Sequence, residues 1–152
     1  MTNKSINPFL LLVLFGLSLF IAPGAYAHTI IGSLESLSGA SATDLYQVEC
    51  FTDGGGVTDH LEISIRDLTP GSGQLNVTGY KLSNLHARGG TDPKTGDNQA
   101  SPIIRVPGGS GGYLIFITRT AGGARKFYEL VFHCTAATGT HTGTDSVRFQ
   151  NQ

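Results

Sequence analysis

The chain has 152 residues, ten Lys and Arg against eleven Asp and Glu, and a formal net charge of −1. A balance this close to neutral argues against nucleic acid or an anionic membrane surface as the main partner. Its 21 glycines fall in clusters between short apolar runs, a pattern that excludes long amphipathic helices and points to strands joined by tight turns.

The chain opens with a basic residue at Lys4, an apolar run from Phe9 to Ile21, and small residues at Ala25 and Ala27. This is the pattern of a secretory signal peptide, and the run is short for a membrane span. The expectation is a signal peptide over 1–27, cleavage that makes His28 the first mature residue, and one domain over 28–152. That product is secreted or periplasmic, with no stable membrane span. Removing 27 of the 152 residues leaves 125, enough for one modest core, and loses only Lys4 among the charges. The mature charge is then nine basic against eleven acidic groups, or −2.

Thr29 to Leu37 contains Ile30, Ile31, Leu34 and Leu37 and reads as an edge strand. Asp44 to Thr52 sets Tyr46, Val48 and Cys50 on one side and Gln47, Glu49 and Phe51 on the other. Three glycines end it. His60 to Asp67 has the clearest alternation, with Leu61, Ile63 and Ile65 inward and His60, Glu62, Ser64 and Arg66 outward. Gln74 to Leu85 changes phase between Leu75 and Val77 and then Tyr80 and Leu82, which predicts a bulge at Gly79. A polar, aperiodic segment follows from His86 to Ser101, then a short apolar run, Pro102 to Val106.

The stretch from Gly112 to Cys134, GYLIFITRTAGGARKFYELVFHC, organises the rest. Tyr113 to Thr118 is largely apolar on both faces, as in the middle of a sheet, and Tyr128, Leu130, Phe132 and Cys134 share one face of the next strand. Gly122 and Gly123 between them predict a hairpin. Val147 and Phe149 supply a terminal strand. The count is seven or eight strands in an all-β, antiparallel β-sandwich, with a small barrel as the other closure. Tyr46, Tyr80 and Tyr128 are expected in the core, while Phe51 and Phe127, if exposed, mark a partner surface or a self-association edge.

Cys50 and Cys134 each fall on the apolar face of a predicted strand. In an oxidising compartment they are expected to form a disulfide between strands, two buried free thiols being the other arrangement.

The pieces ATDLYQVEC from Ala42 to Cys50, HLEISIRDL from His60 to Leu68, and the closing stretch from Gly112 to Cys134 resemble the pre-peptidase C-terminal type of secreted bacterial domain. That resemblance implies a β-sandwich of jelly-roll character and a non-catalytic binding or maturation role. Some such sandwiches carry calcium in their loops.

Candidate sites are few. Asp92, Asp97 and Asn98 offer hard oxygens for calcium, joined by Asp53 and Asp59 if both loops share one end of the sandwich. The same residues also suit turn capping. A freed amino group at His28 could bind copper through amine and ring, with a second histidine completing the site. His60 and His133 are ordinary surface imidazoles, or neighbours if their strands pair. There is no G-x-S-x-G elbow, and the run GGSGG at Gly108 to Gly112 lacks the lysine and helix start of a phosphate loop. The reading that follows is a secreted, non-catalytic binding or structural domain whose partner is an extracellular protein or glycan. A self-associating subunit of an extracellular assembly and a metal-dependent secreted enzyme are the alternatives.

Overall fold

The computed structural model describes residues 28–71 and 73–152; the expected signal sequence over 1–27 lies outside them. Nine strands run in chain order: β1 His28–Leu34, β2 Thr43–Phe51, β3 Thr58–Asp67, β4 Leu75–Lys81, β5 Ala87–Thr91, β6 Ile104–Pro107, β7 Gly111–Arg119, β8 Lys126–Ala136 and β9 Gly143–Gln150. A 3-10 segment, Ser36–Ser41, joins β1 to β2. The strands form two antiparallel sheets, β1-β8-β3-β6 and β5-β4-β7-β2-β9, which do not close into a barrel.

Period-two alternation builds the core. Leu61, Ile63, Ile65, Leu130, Phe132 and Val106 point inward from the four-stranded sheet and meet Val48, Leu75, Val77, Tyr113, Ile115 and Ile117 of the five-stranded one, all essentially inaccessible. Tyr46 and Tyr128 are buried in the same core, their hydroxyls 2.7 Å apart. The Tyr128 hydroxyl donates to the buried Asp44 carboxylate. Burial pushes the Asp44 carboxyl above its usual range, and burial together with the Asp44 bond pushes the Tyr128 phenol well up.

The disulfide is present. Cys50 of β2 and Cys134 of β8 are bonded with their Cα atoms 5.6 Å apart, so the link ties one sheet to the other through the core.

Several sequence expectations are corrected. The described residues form nine strands, and the one not expected is β5, whose ARGGT carries no apolar alternation. It pairs with β4 through its backbone, and Gly90 lets it lie against Ile104 of the opposite sheet. The stretch from Gly112 to Cys134 is not a hairpin. β7 pairs with β2 and β4, whereas β8 pairs with β1 and β3. Both strands carry a strong apolar face, and placing them in opposite sheets lets each face line a different wall of the core. The buried Arg119 holds the crossing, donating to the carbonyls of Gly39 at 2.6 Å, Ala124 at 2.9 Å and Glu35 at 3.1 Å.

There is also no bulge at Gly79. The registers of β4 with β5 and with β7 run unbroken, and Gly79 faces inward, where a Cβ would stand 2.5 Å from Ile63 Cδ1 and 2.6 Å from Val106 Cγ2. Glycine is required because the two sheets approach closely there. Tyr80 therefore sits on the outer face, half-buried, instead of in the core. Lys81 turns inward in its place, with 1% exposure. Its ammonium donates to the Ser110 carbonyl at 2.7 Å and stands 3.9 Å over the Tyr113 ring. Burial lowers the Lys81 pKa and, with Asp59 nearby, raises that of Tyr113 to about 12.

The chain changes sheet at almost every connection. Only the step from β4 to β5 stays within one sheet.

Candidate functional site

The aspartate loops do not come together. Asp92 is fully buried, accepting the Asp67 amide at 2.6 Å and the Lys94 amide at 3.1 Å. Asp97 accepts the Gln99 amide at 2.8 Å, and Asn98 is exposed. Asp53 accepts the Gly55 amide at 2.7 Å, and Asp59 meets His60 Nδ1 at 2.8 Å. Asp67 closes β3 and Asp59 lies near its start, so the two sets sit at opposite ends of a strand about 30 Å long. These side chains hold turns and strand ends. His28 begins β1 with its ring stacked on Phe132, centroids 5.6 Å apart. Among the described residues, no group of three or more His, Cys, Asp or Glu side chains is placed to hold a metal ion.

Two outer faces carry the remaining chemistry. On the four-stranded sheet β3 and β8 pair, and Glu62 stands opposite His133. The Glu62 carboxylate takes His133 Nε2 at 2.9 Å, Arg105 Nε at 2.6 Å and His60 Nε2 at 3.3 Å. Burial would raise the Glu62 carboxyl, but bonds from Arg105, His60 and His133 outweigh it and hold it at about 2. His141, from the connection between β8 and β9, stacks on His133 with centroids 4.0 Å apart. Burial, followed by the His141 ring, lowers the His133 pKa despite the bond to Glu62. The Nδ1 atoms of His133 and His141 are both buried without a hydrogen-bond partner among the described residues. Chemically this is a carboxylate clamp on a sheet surface. His60 and Glu62 are visible in the alternation of His60 to Asp67, and His133 in the face opposite Tyr128, Leu130 and Phe132; Arg105 and His141 carry no periodic signal.

The five-stranded sheet presents a different face. Tyr80, Leu114, Gln47 and Val147 stand in one row across β4, β7, β2 and β9, and Thr78, Phe116 and Leu45 stand in the next. Leu45, Tyr80, Leu114 and Phe116 are half-buried, no further layer of strands or helices lies above them among the described residues, and Val147 is 51% exposed. A third row runs through Leu82, Gly112, Glu49 and Asp145. Leu82 lies across Gly112, where a Cβ would be 2.9 Å from Leu82 Cδ1, and the Phe51 ring lies across Gly143. A shallow depression of about 200 Å³ opens here, lined by Gln47, Glu49, Asp145, Ser146 and Val147.

Phe51 and Phe127 are both exposed, at 47% and 44%, but they belong to different sheets and form no common patch. The sequence hides this apolar outer face, because its phase places Tyr80 inward and a strand apolar on both faces reads as covered on both. Among the described residues, no helix is long and apolar enough to cross a membrane. No family model, no curated protein and no solved structure matches this chain.

Proposed function

We propose that the chain is an exported, non-catalytic binding or structural domain, a jelly-roll-type sandwich released from a signal peptide over 1–27 into the periplasm or the medium. The observation that carries this reading is the outer face of the five-stranded sheet, where Leu45, Tyr80, Leu114, Phe116 and Val147 form an apolar surface that no further layer covers among the described residues. Contiguous apolar surface of this kind marks contact with a partner. The disulfide suits an oxidising compartment. Resemblance of three strand segments to pre-peptidase C-terminal domains is in keeping with a non-catalytic role. The partner class is an extracellular protein or a glycan.

The test is the double substitution Leu114→Thr with Phe116→Thr, which keeps strand propensity while removing apolar surface. Native mass spectrometry of the exported protein, with a panel of oligosaccharides, is expected to find an interaction in the wild type that the variant loses at nearly unchanged Tm. A wild type that binds neither protein nor glycan through this face overturns the reading.

A second reading, a self-associating subunit of an extracellular assembly, is favoured by β9. It is an edge strand with Val147 and Phe149 exposed, and its free backbone groups could pair with another copy. Sedimentation over a concentration series separates the two: assembly requires the sedimentation coefficient to rise with concentration.

A further inference from the structure

We infer that the stacked rings of His133 and His141 form an acid-released latch: proton uptake by the pair frees the connection between β8 and β9, residues 137–142, from the end of the sandwich, while the Cys50–Cys134 disulfide keeps the two sheets together. The device is independent of what the domain binds.

From Thr135 to Gly143 the sequence is TAATGTHTG, and His141 is the only side chain in it larger than threonine. With so few apolar atoms, burial contributes little to holding the connection down. It is held by the stack on His133, centroids 4.0 Å apart, by the Thr142 hydroxyl 2.7 Å from that of Thr58, and by two backbone bonds of 2.8 Å. In these the Ala136 amide donates to the Thr140 carbonyl and the Thr142 amide to the Cys134 carbonyl. The connection between β2 and β3 lies directly on the His141 backbone, since a Cβ at Gly55 would stand 1.8 Å from the His141 carbonyl oxygen. The disulfide bounds the part that can move. Cys134 lies just before it in β8, and Cys50 stands opposite Thr144 in β9.

The stack resists protonation. His133 Nε2 faces the ionised Glu62 carboxylate, which can only accept, so the neutral ring carries its proton on Nε2 and leaves Nδ1 bare. A proton taken up goes to Nδ1, which is buried with no acceptor among the described residues, and the Nδ1 of His141 is buried without a partner as well. A proton on each ring sets two like charges in direct contact. The charged groups around His133 do not offset this. Glu62 of β3 is already shared with Arg105 of β6 and His60 of β3, and His60 turns its other ring nitrogen to Asp59. Asp53, in the connection beneath His141, accepts the Gly55 amide, and on β1 the His28 ring stacks on Phe132. Burial, then the His141 ring, lowers the His133 pKa against the pull of Glu62. Once the connection lifts, both Nδ1 atoms meet water, so each proton taken up favours the open form. Opening also releases the Ala136 amide and the Cys134 carbonyl at the end of β8.

The test is amide hydrogen exchange on the ¹⁵N-labelled protein from about pH 7.5 to about pH 5, read as protection factors so that the intrinsic rate divides out, with NMR titration of the two rings alongside. The amides of Ala136, Gly139 and Thr142 are expected to lose protection about tenfold or more over that range, with a midpoint that follows the titration of His133 or His141. Those of Ile63, Ile115 and Leu130 should keep theirs, which separates release of the connection from unfolding. His141→Phe retains a stacking ring that takes no proton, and His133→Gln retains a donor to Glu62; in each the loss should shrink to about threefold or less. A variant already open at pH 7.5 supports the stack as the attachment, and the wild-type midpoint then decides whether protons release it. Constant protection in the wild type, a loss that follows neither ring, a loss shared by the core amides, or variants that lose as much as the wild type overturn the latch.

Discussion

Glu62 and His133 face each other across β3 and β8, with His133 Nε2 2.9 Å from the carboxylate. Both groups titrate in the folded protein below their ordinary values, Glu62 at about 2 against 4.5 and His133 below 6.5. In each case the unfolded chain takes up its proton first as pH falls, so the native state loses stability on acidification. His133 contributes fully above about 6.5 and its share is lost as pH drops through the folded value; the Glu62 share is lost between about 4.5 and 2. Melting from pH 8 to pH 3 should therefore give a plateau followed by a decline, with Glu62 supplying at most about 3 kcal/mol. His133→Gln should flatten the upper part of that decline. A His133→Gln variant whose decline matches that of the wild type throughout contradicts this account.

Reduction should have a large effect. The Cys50–Cys134 link closes a loop of 84 residues in sequence separation, and such a constraint is worth on the order of 4 kcal/mol. Urea unfolding of the oxidised protein and of Cys50→Ala with Cys134→Ala should differ by roughly that amount, within the general range of about 2–5 kcal/mol. A difference under about 1 kcal/mol would mean that the bridge contributes strain in place of stability.

Gly79 and Gly54 make a matched pair of tests. A methyl group at Gly79 would meet Ile63 and Val106 across the core, and Gly79→Ala should cost about 1–3 kcal/mol by overpacking. Gly54 has nothing within 4 Å of its Cβ position and no positive φ, so Gly54→Ala should be neutral or slightly stabilising. Chemical denaturation of both variants checks the ranking.

Tyr128→Phe removes the hydroxyl that donates to buried Asp44 and meets Tyr46. It leaves a buried carboxylate short of a donor, and a loss of about 1–3 kcal/mol is expected. The Gln152 amide, which also donates to Asp44 at 2.8 Å, should become more protected from exchange if it takes over part of that role. Hydrogen exchange at Gln152 together with urea unfolding provides the check.

Much of the local structure was legible. The alternation of Leu61, Ile63 and Ile65 fixed which face of β3 is inward, and the cysteines lay on the expected apolar faces. Side-chain period says which face is buried, though, and says nothing about which sheet a strand joins. Two apolar strands joined by a glycine pair, as β7 and β8 are, therefore look like a hairpin whether or not they share a sheet. Gly79 looks like a bulge because a phase change and a close approach of the opposite sheet leave the same mark in a sequence, a glycine amid apolar residues. β5 left no mark, since its pairing uses the backbone of two glycines and its side chains barely enter the core. His141 joined His133 only through the path of the connection between β8 and β9.

The repeated change of sheet along the chain sets how fast this protein can fold. With β4 and β5 the only consecutive strands that share a sheet, almost every pairing must wait for segments far apart in sequence to meet. Each such encounter bears its loop-closure entropy before any contact rewards it, which places the folding time in the range of about milliseconds to seconds. A chain that remains unfolded for that long keeps its apolar strands exposed to aggregation throughout.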